Sequence, residues 1–458
     1  MLQPFENDIF VEENFSNANF NDTRLSKRLC IIAKKFSVQP QASISKQMEN
    51  WNDTVSCYNF LRNSRVTHKR IQEPHRKKVK ESAIDAGIKG DTVLFIQDLS
   101  ELDYSTLKGT EGLGQVGNQY GKGIQMHSCL AVRHIKNKDI DVLGLAHQIV
   151  WERKDKKSRG KPKIGEQFRG EKESVAWSQT LRALGSPPPN VRWVSVCDRG
   201  SDIYEYLSEV KRLKWQSVIR AFQDRCIKVD GAKRKLMEFV RSLESKDTYT
   251  IPIRKRDETK KRDITINISW ASTITLTPSE SVDEEVEVSV IRCWNEEEKI
   301  EWILYSTIKV NNNEEALEKV IWYSNRWCIE EYHKCIKTGC KIESSQLETS
   351  KSLESLVGVL GIIAILMLCM KSLARDAGTE LAEKYVPQIP LKIVCRRFNL
   401  NLKTLTIYEF WRTVARMGGF LNRKSDGEPG WQTLWLGWLR LLDMIEGAEA
   451  FTHDQEFD

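Results

Sequence analysis

Two largely apolar runs of strand length, each leading into an aspartate, most constrain what this chain can fold into. Residues 92–97 read Thr-Val-Leu-Phe-Ile-Gln and precede Asp98, and residues 191–197 read Val-Arg-Trp-Val-Ser-Val-Cys and precede Asp198. A short run without regular polar alternation is typical of a buried strand. The chain is therefore predicted to contain two buried strands that each end on a carboxylate.

The segments between and after these two runs indicate how the rest of the chain is organised. Residues 127–133 and 141–151 have the pattern of two more strands, and 174–184 that of a helix, so the order of elements predicts an α/β core. Residues 214–310 alternate apolar and polar side chains over short runs, which predicts an antiparallel β insertion with a basic turn at 254–262. The remainder of the chain has a helical pattern. A length of 458 residues suits about three domains.

The first part of the chain combines helical periodicity with positive charge. Residues 22–36 place apolar side chains along one helical stripe and basic residues on the remaining faces. A second helix is predicted to begin near Asp53, a good N-cap residue, and Arg62 follows it. One such cation alone is more often only a solvated surface residue. Together, and with a net charge of +7, these cations predict that a helical module at 1–75 contacts DNA phosphates.

Cysteine usage and hydropathy favour a cytoplasmic protein without a membrane span. The chain has 11 cysteines and no CxxC pair, which is typical of free thiols in a reducing cytosol. Its first ten residues lack the basic start and apolar centre of a signal peptide. The apolar run at 356–370 has 15 residues. Since a membrane-spanning helix needs about 20, a buried core helix is predicted there.

The segment 322–337 carries the most informative polar pattern. On one continuous helix, Tyr323, Arg326, Glu330 and Lys337 would lie within about 60° of one another. The apolar stripe beside them consists of Trp322, Ile329 and Ile336. A surface ion-pair network is one explanation, but glutamate–lysine pairs would suffice for that. These four side chains suit the binding of a phosphodiester instead. Arg326 and Lys337 can hold phosphate oxygens, and the Tyr323 hydroxyl can donate a hydrogen bond.

Asp98, Asp198 and Glu330 together form a candidate set of metal ligands. A lone aspartate at a strand end is more often a turn residue. Hard divalent cations prefer carboxylate oxygens, and phosphoryl transfer with two ions about 3.5–4 Å apart needs carboxylates that bridge and flank them. We therefore expect two Mg²⁺ ions, which Mn²⁺ can replace, and a reaction at DNA phosphodiester bonds.

The order of these three acids resembles that of a known family. The β insertion before the glutamate and the Y-x2-R-x3-E-x6-K pattern that begins at Tyr323 resemble the bacterial insertion-sequence DDE transposases that carry this signature. The segment Cys-Asp-Arg-Gly-Ser-Asp at 197–202 is similar to the family's region around its second aspartate. Residues 411–438 resemble its C-terminal region, and 21–63 more loosely its DNA-binding module. The likeness covers nearly the whole chain.

The resemblance implies a ribonuclease-H-like catalytic core within the α/β fold and roles for individual residues. Asp98, Asp198 and Glu330 match the family's catalytic, metal-binding acids. The residues that match its contacts to the DNA end are Tyr323, Arg326 and Lys337, with Lys334 near them. Leu99 stands where the family usually has threonine, which removes no ligand. Glu331 adjoins Glu330 but would lie about 100° around the helix, so Glu330 is the better candidate.

Further DNA contacts are implied outside the helical segment. Trp302 matches an aromatic residue against which a flipped base stacks during hairpin formation. From the sequence alone, a tryptophan in the core of the β insertion is an equal alternative for Trp302. Arg199 and Arg220 match basic positions near the site, and Arg62 is expected to contact DNA from the N-terminal module.

The function expected from the resemblance is cut-and-paste transposition of an insertion sequence. The enzyme would bind terminal inverted repeats, pair two double-stranded DNA ends as a homodimer, cleave each end through a hairpin and join the 3′ ends to target DNA. It would act in the bacterial cytoplasm, at the nucleoid when bound to DNA. The expected domains are 1–75 for DNA binding, 76–372 for catalysis with the insertion at about 214–310, and 373–458 for dimerisation. A ribonuclease-H-like nuclease without strand transfer and a domesticated, non-catalytic DNA-binding protein are the alternatives.

Overall fold

The computed structural model describes residues 7–48, 50–117, 120–135, 140–153, 174–253, 262–277, 285–376 and 378–453. Five helices come first: α1 (Asn7–Phe15), α2 (Thr23–Val38), α3 (Ile44–Met48), α4 (Trp51–Arg62) and α5 (His68–Ile88). The central part contains β1 (Thr92–Asp103), β2 (Gly114–Val116), β3 (Gly121–His134), β4 (Asp141–Trp151), α6 (Val175–Leu184), β5 (Arg192–Cys197), α7 (Tyr204–Arg212) and β6 (Gln216–Arg220). It continues with β7 (Cys226–Val229), β8 (Ala232–Lys235), α8 (Leu236–Arg241), β9 (Asp247–Ile253), β10 (Arg262–Leu276), β11 (Val286–Asn295) and β12 (Ile300–Ser306). The C-terminal part contains α9 (Asn313–Ser324), α10 (Trp327–Lys334), α11 (Ser350–Asp376), α12 (Gln388–Phe398), α13 (Ile407–Met417) and α14 (Trp431–His453).

The N-terminal helices pack through apolar faces and begin at polar caps. α2 starts after Asp22, whose side chain accepts a hydrogen bond from the helix backbone. The predicted apolar stripe of α2 is buried and includes Leu29, Ile32, Ala33 and Phe36. The sequence predicted Asp53 as the N-cap of α4, but the N-cap is Asn50. Asp53 lies in the first turn instead, where its carboxylate is 3.0 Å from the Arg28 guanidinium.

A mixed twelve-stranded sheet runs through the centre of the chain. Its order is β2-β3-β1-β5-β6-β12-β11-β10-β7-β8, with β4 paired to β3 and β9 paired to β10. β1 is antiparallel to β3, whereas β5 lies parallel to both β1 and β6. Apolar side chains on one face join the core that contains α11, and those on the other face pack with α6 and α7. The predicted α/β fold is confirmed.

β1 extends further than the apolar run that predicted it. Its parallel pairing with β5 stops where Gln97 lies opposite Cys197. Its antiparallel pairing with β3 continues to Asp103, so the prediction that Asp98 ends the strand was wrong. The residues after Gln97 are mostly only partly buried, because β1 has lost its partner on one side. Asp98 is therefore the first residue of β1 beyond the parallel pairing.

The strands from β7 to β12 pair antiparallel, as predicted for the β insertion, whereas β6, which also lies within 214–310, pairs parallel with β5. β10 pairs antiparallel with β9 and β11, and β11 pairs antiparallel with β12. β10, β11 and β12 include the residues 264–270, 286–291 and 302–306, where apolar and polar side chains alternate. The basic turn predicted at 254–262 lies, except for its last residue, outside the described residues.

The apolar run at 356–370 belongs to α11. This helix is long and apolar enough to cross a membrane by length and composition alone, but 89% of its most apolar window is buried inside the protein. It contacts α2, α4, α5, α10, α14 and β4. The prediction of a buried core helix is confirmed.

Candidate active site

Asp98 and Asp198 lie at the same edge of the sheet. The parallel pairing of β1 with β5 ends at Gln97 and Cys197, and each aspartate is the next residue in its segment. The Asp198 side chain accepts a hydrogen bond from the backbone of Gly200 at 3.0 Å and begins a short 3₁₀ turn, Arg199–Ser201. Burial raises the pKa of Asp98 to about 7, and the negative charge of Asp198 is the next cause of that shift. The two carboxylates are thus close enough to repel each other.

A buried polar network lies beneath the two aspartates, on the opposite face of the sheet. Gln97 Nε2 donates to Ser195 Oγ at 2.8 Å. The Tyr206 hydroxyl lies 2.7 Å from Ser195 Oγ and 3.2 Å from Cys197 Sγ. All four side chains are fully inaccessible. Because Gln97 and Cys197 immediately precede the two acids, this network fixes the two strand ends relative to α7, and the sequence analysis had not identified it.

The segment that was predicted as one helix consists of four parts. α9 ends at Ser324, a turn holds Asn325 and Arg326, α10 follows, and Cys335–Gly339 form a π-helical turn. The prediction of a single helix was therefore wrong. The predicted apolar stripe is nevertheless fully buried, at Trp322, Ile329 and Ile336. Both turn residues keep right-handed helical backbone angles, so the direction of the side chains changes little across the break.

The side chain of Arg326 links the helical residues to the sheet. Its Nη2 atom lies 2.5 Å from Glu330 Oε1, and its Nη1 atom lies 3.7 Å from Asp98 Oδ2. The negative charge of Glu330 is a further cause of the raised pKa of Asp98. His333 Nδ1 is also 3.8 Å from Asp98 Oδ2, but burial lowers the pKa of His333 to about 3 and keeps the ring neutral near pH 7. Asp98 therefore interacts with both of the other predicted acids.

Tyr323 and Trp302 form an aromatic pair beside this cluster. Their ring centroids are 5.3 Å apart, and the rings meet edge to face at 70°. The Tyr323 ring centroid is 6.0 Å from the guanidinium carbon of Arg326. Arg220 hydrogen-bonds to the Tyr323 side chain and donates to the backbone carbonyl of Glu301 at 3.2 Å. Tyr323 is only 3% exposed, whereas Trp302 is half-buried, so Trp302 is the more accessible of the pair.

The other predicted DNA contacts are exposed or half-buried cations, and three of the four have a partner side chain. Lys337 and Arg62 each pair with a glutamate, at 3.9 Å and 2.5 Å respectively. Lys334 is exposed, and its Nζ atom lies 5.9 Å from the centroid of the Trp327 ring. Arg199 is exposed in the turn that follows Asp198. None of these pairings is buried, so the four cations remain available to a polyanion.

The acids supply the type of ligand that a divalent cation requires. Arg326 contacts two of the three acids, and the pKa of Asp98 is raised first by burial and then by the negative charge of Asp198. Carboxylate oxygens are the preferred ligands of Mg²⁺ and similar ions. Within the part of the chain that the structure describes, no three His, Cys, Asp or Glu side chains are already grouped as a complete metal site. The residues fit a divalent ion chemically, but their side chains would have to close around it.

Carboxylates at the edge of a mixed sheet, beside arginines, suit an enzyme that transfers phosphoryl groups of nucleic acids with the help of metal ions. Matches to known protein families show which family of such enzymes the chain resembles. Residues 7–66 match the family Transposase DNA-binding, 170–367 match Transposase DDE domain, and 392–456 match Transposase Tn5 dimerisation domain. The chain belongs to the DDE transposases, which are enzymes that cleave DNA and transfer its strands.

The three matches confirm several predictions from the sequence. A DDE domain implies a ribonuclease-H-like core and dependence on divalent metal ions. The other two domains imply that DNA is a partner and that the chain forms homodimers. The match to the DDE domain includes Asp198 and Glu330 but begins after Asp98. The assignment of Asp98, Asp198 and Glu330 as the catalytic acids stays a prediction, supported by the interaction of Asp98 with the other two.

Proposed function

We propose that Asp98, Asp198 and Glu330 are the catalytic acids and that they hold two Mg²⁺ ions, which Mn²⁺ can replace. The convergence of the three carboxylates carries this proposal, since Asp198 and Glu330 both raise the pKa of Asp98, and Arg326 contacts two of the three acids. The chemistry that two such ions supply is activation of the attacking oxygen and stabilisation of the leaving oxygen. The contribution of the chain is to hold Asp98 and Asp198 at one sheet edge and to place Glu330 of α10 beside them.

Basic residues around the acids hold the phosphates of the DNA end. Guanidinium groups suit this role because they donate two parallel hydrogen bonds to phosphate oxygens. The proposed contacts are Arg326, Lys334 and Lys337 from the helical segment, Arg199 and Arg220 near the sheet edge, and Arg62 from the N-terminal helices. Tyr323 orients Arg326 and Arg220. The glutamates that pair with Lys337 and Arg62 present little obstacle, because exposed ion pairs contribute at most about 1 kcal/mol.

The substrate is the pair of terminal inverted repeats of an insertion sequence, and the reaction is cut-and-paste transposition. Residues 1–75 bind the repeats, 76–372 carry out catalysis with the insertion at about 214–310, and 373–458 pair two chains across two DNA ends. Each end is nicked, closed into a hairpin, reopened and joined through its 3′ hydroxyl to target DNA. This takes place on nucleoid DNA in the bacterial cytoplasm.

A joining assay tests this function. The full chain is incubated with Mg²⁺, a supercoiled target plasmid and labelled duplexes made from the DNA that flanks the gene on each side. The expected products are a nicked end, a hairpin and a plasmid that carries the label, and all three should disappear when the divalent ion is chelated. Nicked ends without any labelled plasmid would instead identify a nuclease without strand transfer.

Replacing Trp302 by alanine should slow hairpin formation more than the first nick. Stacking of a flipped base on an aromatic ring contributes about 1–3 kcal/mol, which corresponds to a loss of roughly 5- to 150-fold. Trp302→Phe keeps an aromatic surface and should retain most of the hairpin. The measurement is the ratio of hairpin to nicked end over time. An unchanged ratio in Trp302→Ala would assign Trp302 to the packing of the β insertion alone.

A further inference from the structure

The guanidinium of Arg326 occupies the space between two of the proposed metal ligands. It lies 2.5 Å from Glu330 Oε1 and 3.7 Å from Asp98 Oδ2. The three side chains are largely shielded from solvent, with exposed fractions of 18% for Arg326, 29% for Glu330 and 15% for Asp98. Partial burial strengthens such a pairing because solvent screens it less than it screens a surface pair.

The other cationic groups near the acids do not fill the same role. Among the described residues, the groups within 4 Å of the Asp98 carboxylate that can carry positive charge are Arg326 and His333. His333 is within this distance of Asp98 alone, at 3.8 Å, whereas Arg326 reaches both Asp98 and Glu330. Lys337 lies one helical turn beyond His333, and its Nζ atom is directed at Glu343 at 3.9 Å. In the described part of the DNA-free chain, Arg326 is therefore the cation that joins these two acids.

The same guanidinium is also proposed to hold a phosphate of the DNA end. Its Nη1 and Nη2 atoms face the two carboxylates, so a phosphate that binds end-on to both of these atoms must displace the contact with Glu330. A phosphate offers two oxygens in the geometry that a guanidinium prefers. A DNA phosphate at the site would thus compete with Glu330 and Asp98 for Arg326.

We propose that Arg326 is a positioning residue that holds Glu330 and Asp98 together as their internal counter-ion in the DNA-free chain, and that a DNA phosphate draws it away so that divalent ions can take its place. This inference rests on the proposed function, because it assumes that these acids are metal ligands. Divalent ions then bind weakly without DNA and tightly with it. Thermodynamic reciprocity requires that the ions also tighten the hold of the chain on DNA.

Binding of Mn²⁺ to the full chain without DNA tests the first half of the proposal. The loss of the free Mn²⁺ signal in electron paramagnetic resonance gives the dissociation constant directly and does not depend on activity. Arg326→Gln should bind Mn²⁺ about tenfold more tightly than the wild type, because no guanidinium has to be displaced. Arg199→Gln is the matched control. It removes the same charge from the exposed turn after Asp198 and should change the affinity much less, since solvent screens exposed charges.

Addition of DNA tests the second half. A duplex made from the DNA that flanks the gene should tighten Mn²⁺ binding to the wild type severalfold and should have little effect on Arg326→Gln. Equal or weaker Mn²⁺ binding by DNA-free Arg326→Gln, with an unchanged circular dichroism spectrum, would overturn the proposal. The proposed metal site is checked separately with Asp98→Asn and Glu330→Gln. Wild-type Mn²⁺ affinity in both of these variants would reject the metal ligands themselves and not merely the role of Arg326.

Discussion

Replacing Glu330 by glutamine is expected to reduce cleavage of the DNA end at least about a thousandfold, which corresponds to about 4 kcal/mol of transition-state stabilisation. The change removes one negative charge from the cluster of acids and keeps the size of the side chain. Loss of a single preorganised electrostatic contact has effects of this order in other enzymes. Binding of the end should remain intact, because the match to a transposase DNA-binding family lies at 7–66, far from Glu330 in sequence.

The measurement is single-turnover cleavage of a labelled end, with a gel-shift assay for end binding. Glu331→Gln is the matched control, because it makes the same change on the next residue of α10, about 100° around the helix. It should cleave within a few-fold of the wild type. Cleavage by Glu330→Gln at the wild-type rate, or an equal loss in Glu331→Gln, would contradict the assignment of Glu330.

The elements of the fold could be predicted where the pattern is local. β4 has the predicted bounds, Asp141–Trp151, and α6 at Val175–Leu184 differs from the prediction by one residue. Both follow from the periodicity of their own side chains. The continuation of β1 to Asp103 could not be predicted in this way. Its polar end is held by pairing with residues of β3 that lie 20 to 30 positions further along the chain, so the pattern of β1 alone contains no sign of it.

The sequence predicted which residues form the candidate site better than it predicted how they are placed relative to one another. A single helix was wrong for 322–337, yet Arg326 and Glu330 meet as that helix implied. The reason is that Asn325 and Arg326 keep helical dihedral angles while the run of helical hydrogen bonds is interrupted. The contact of Arg326 with Asp98 spans more than 200 residues, and no spacing in the sequence encodes it. The buried network around Tyr206 likewise joins distant segments.

Replacing Asp202 by asparagine is expected to destabilise the protein by about 3–5 kcal/mol, the usual cost of removing one partner of a buried ion pair. The Asp202 side chain is inaccessible and accepts hydrogen bonds from the backbone of Phe222 and Gln223 at 2.7 Å each. Its carboxylate also lies 2.8 Å from the guanidinium of Arg225, which is only 14% exposed. The variant would leave that positive charge largely buried without its counter-charge.

The same substitution should slow cleavage, because Asp202 closes the turn that follows Asp198. The backbone of Asp202 donates to Arg199 at 3.2 Å, and its side chain holds the segment after β6 against this turn. Urea unfolding followed by tryptophan fluorescence measures the loss of stability. Asp8→Asn is the control, since Asp8 and its partner Lys34 are 77% and 55% exposed, and its midpoint should stay close to that of the wild type.

A second substitution separates the two causes of the expected destabilisation. If the uncompensated guanidinium dominates, Asp202→Asn combined with Arg225→Met should be more stable than Asp202→Asn alone, because the buried charge has been removed. If the lost hydrogen bonds to the backbone of Phe222 and Gln223 dominate, the double variant should be no more stable than the single one. An unfolding midpoint of Asp202→Asn equal to that of the wild type would contradict both explanations. Asp202 would then have no part in holding the turn after Asp198 in place.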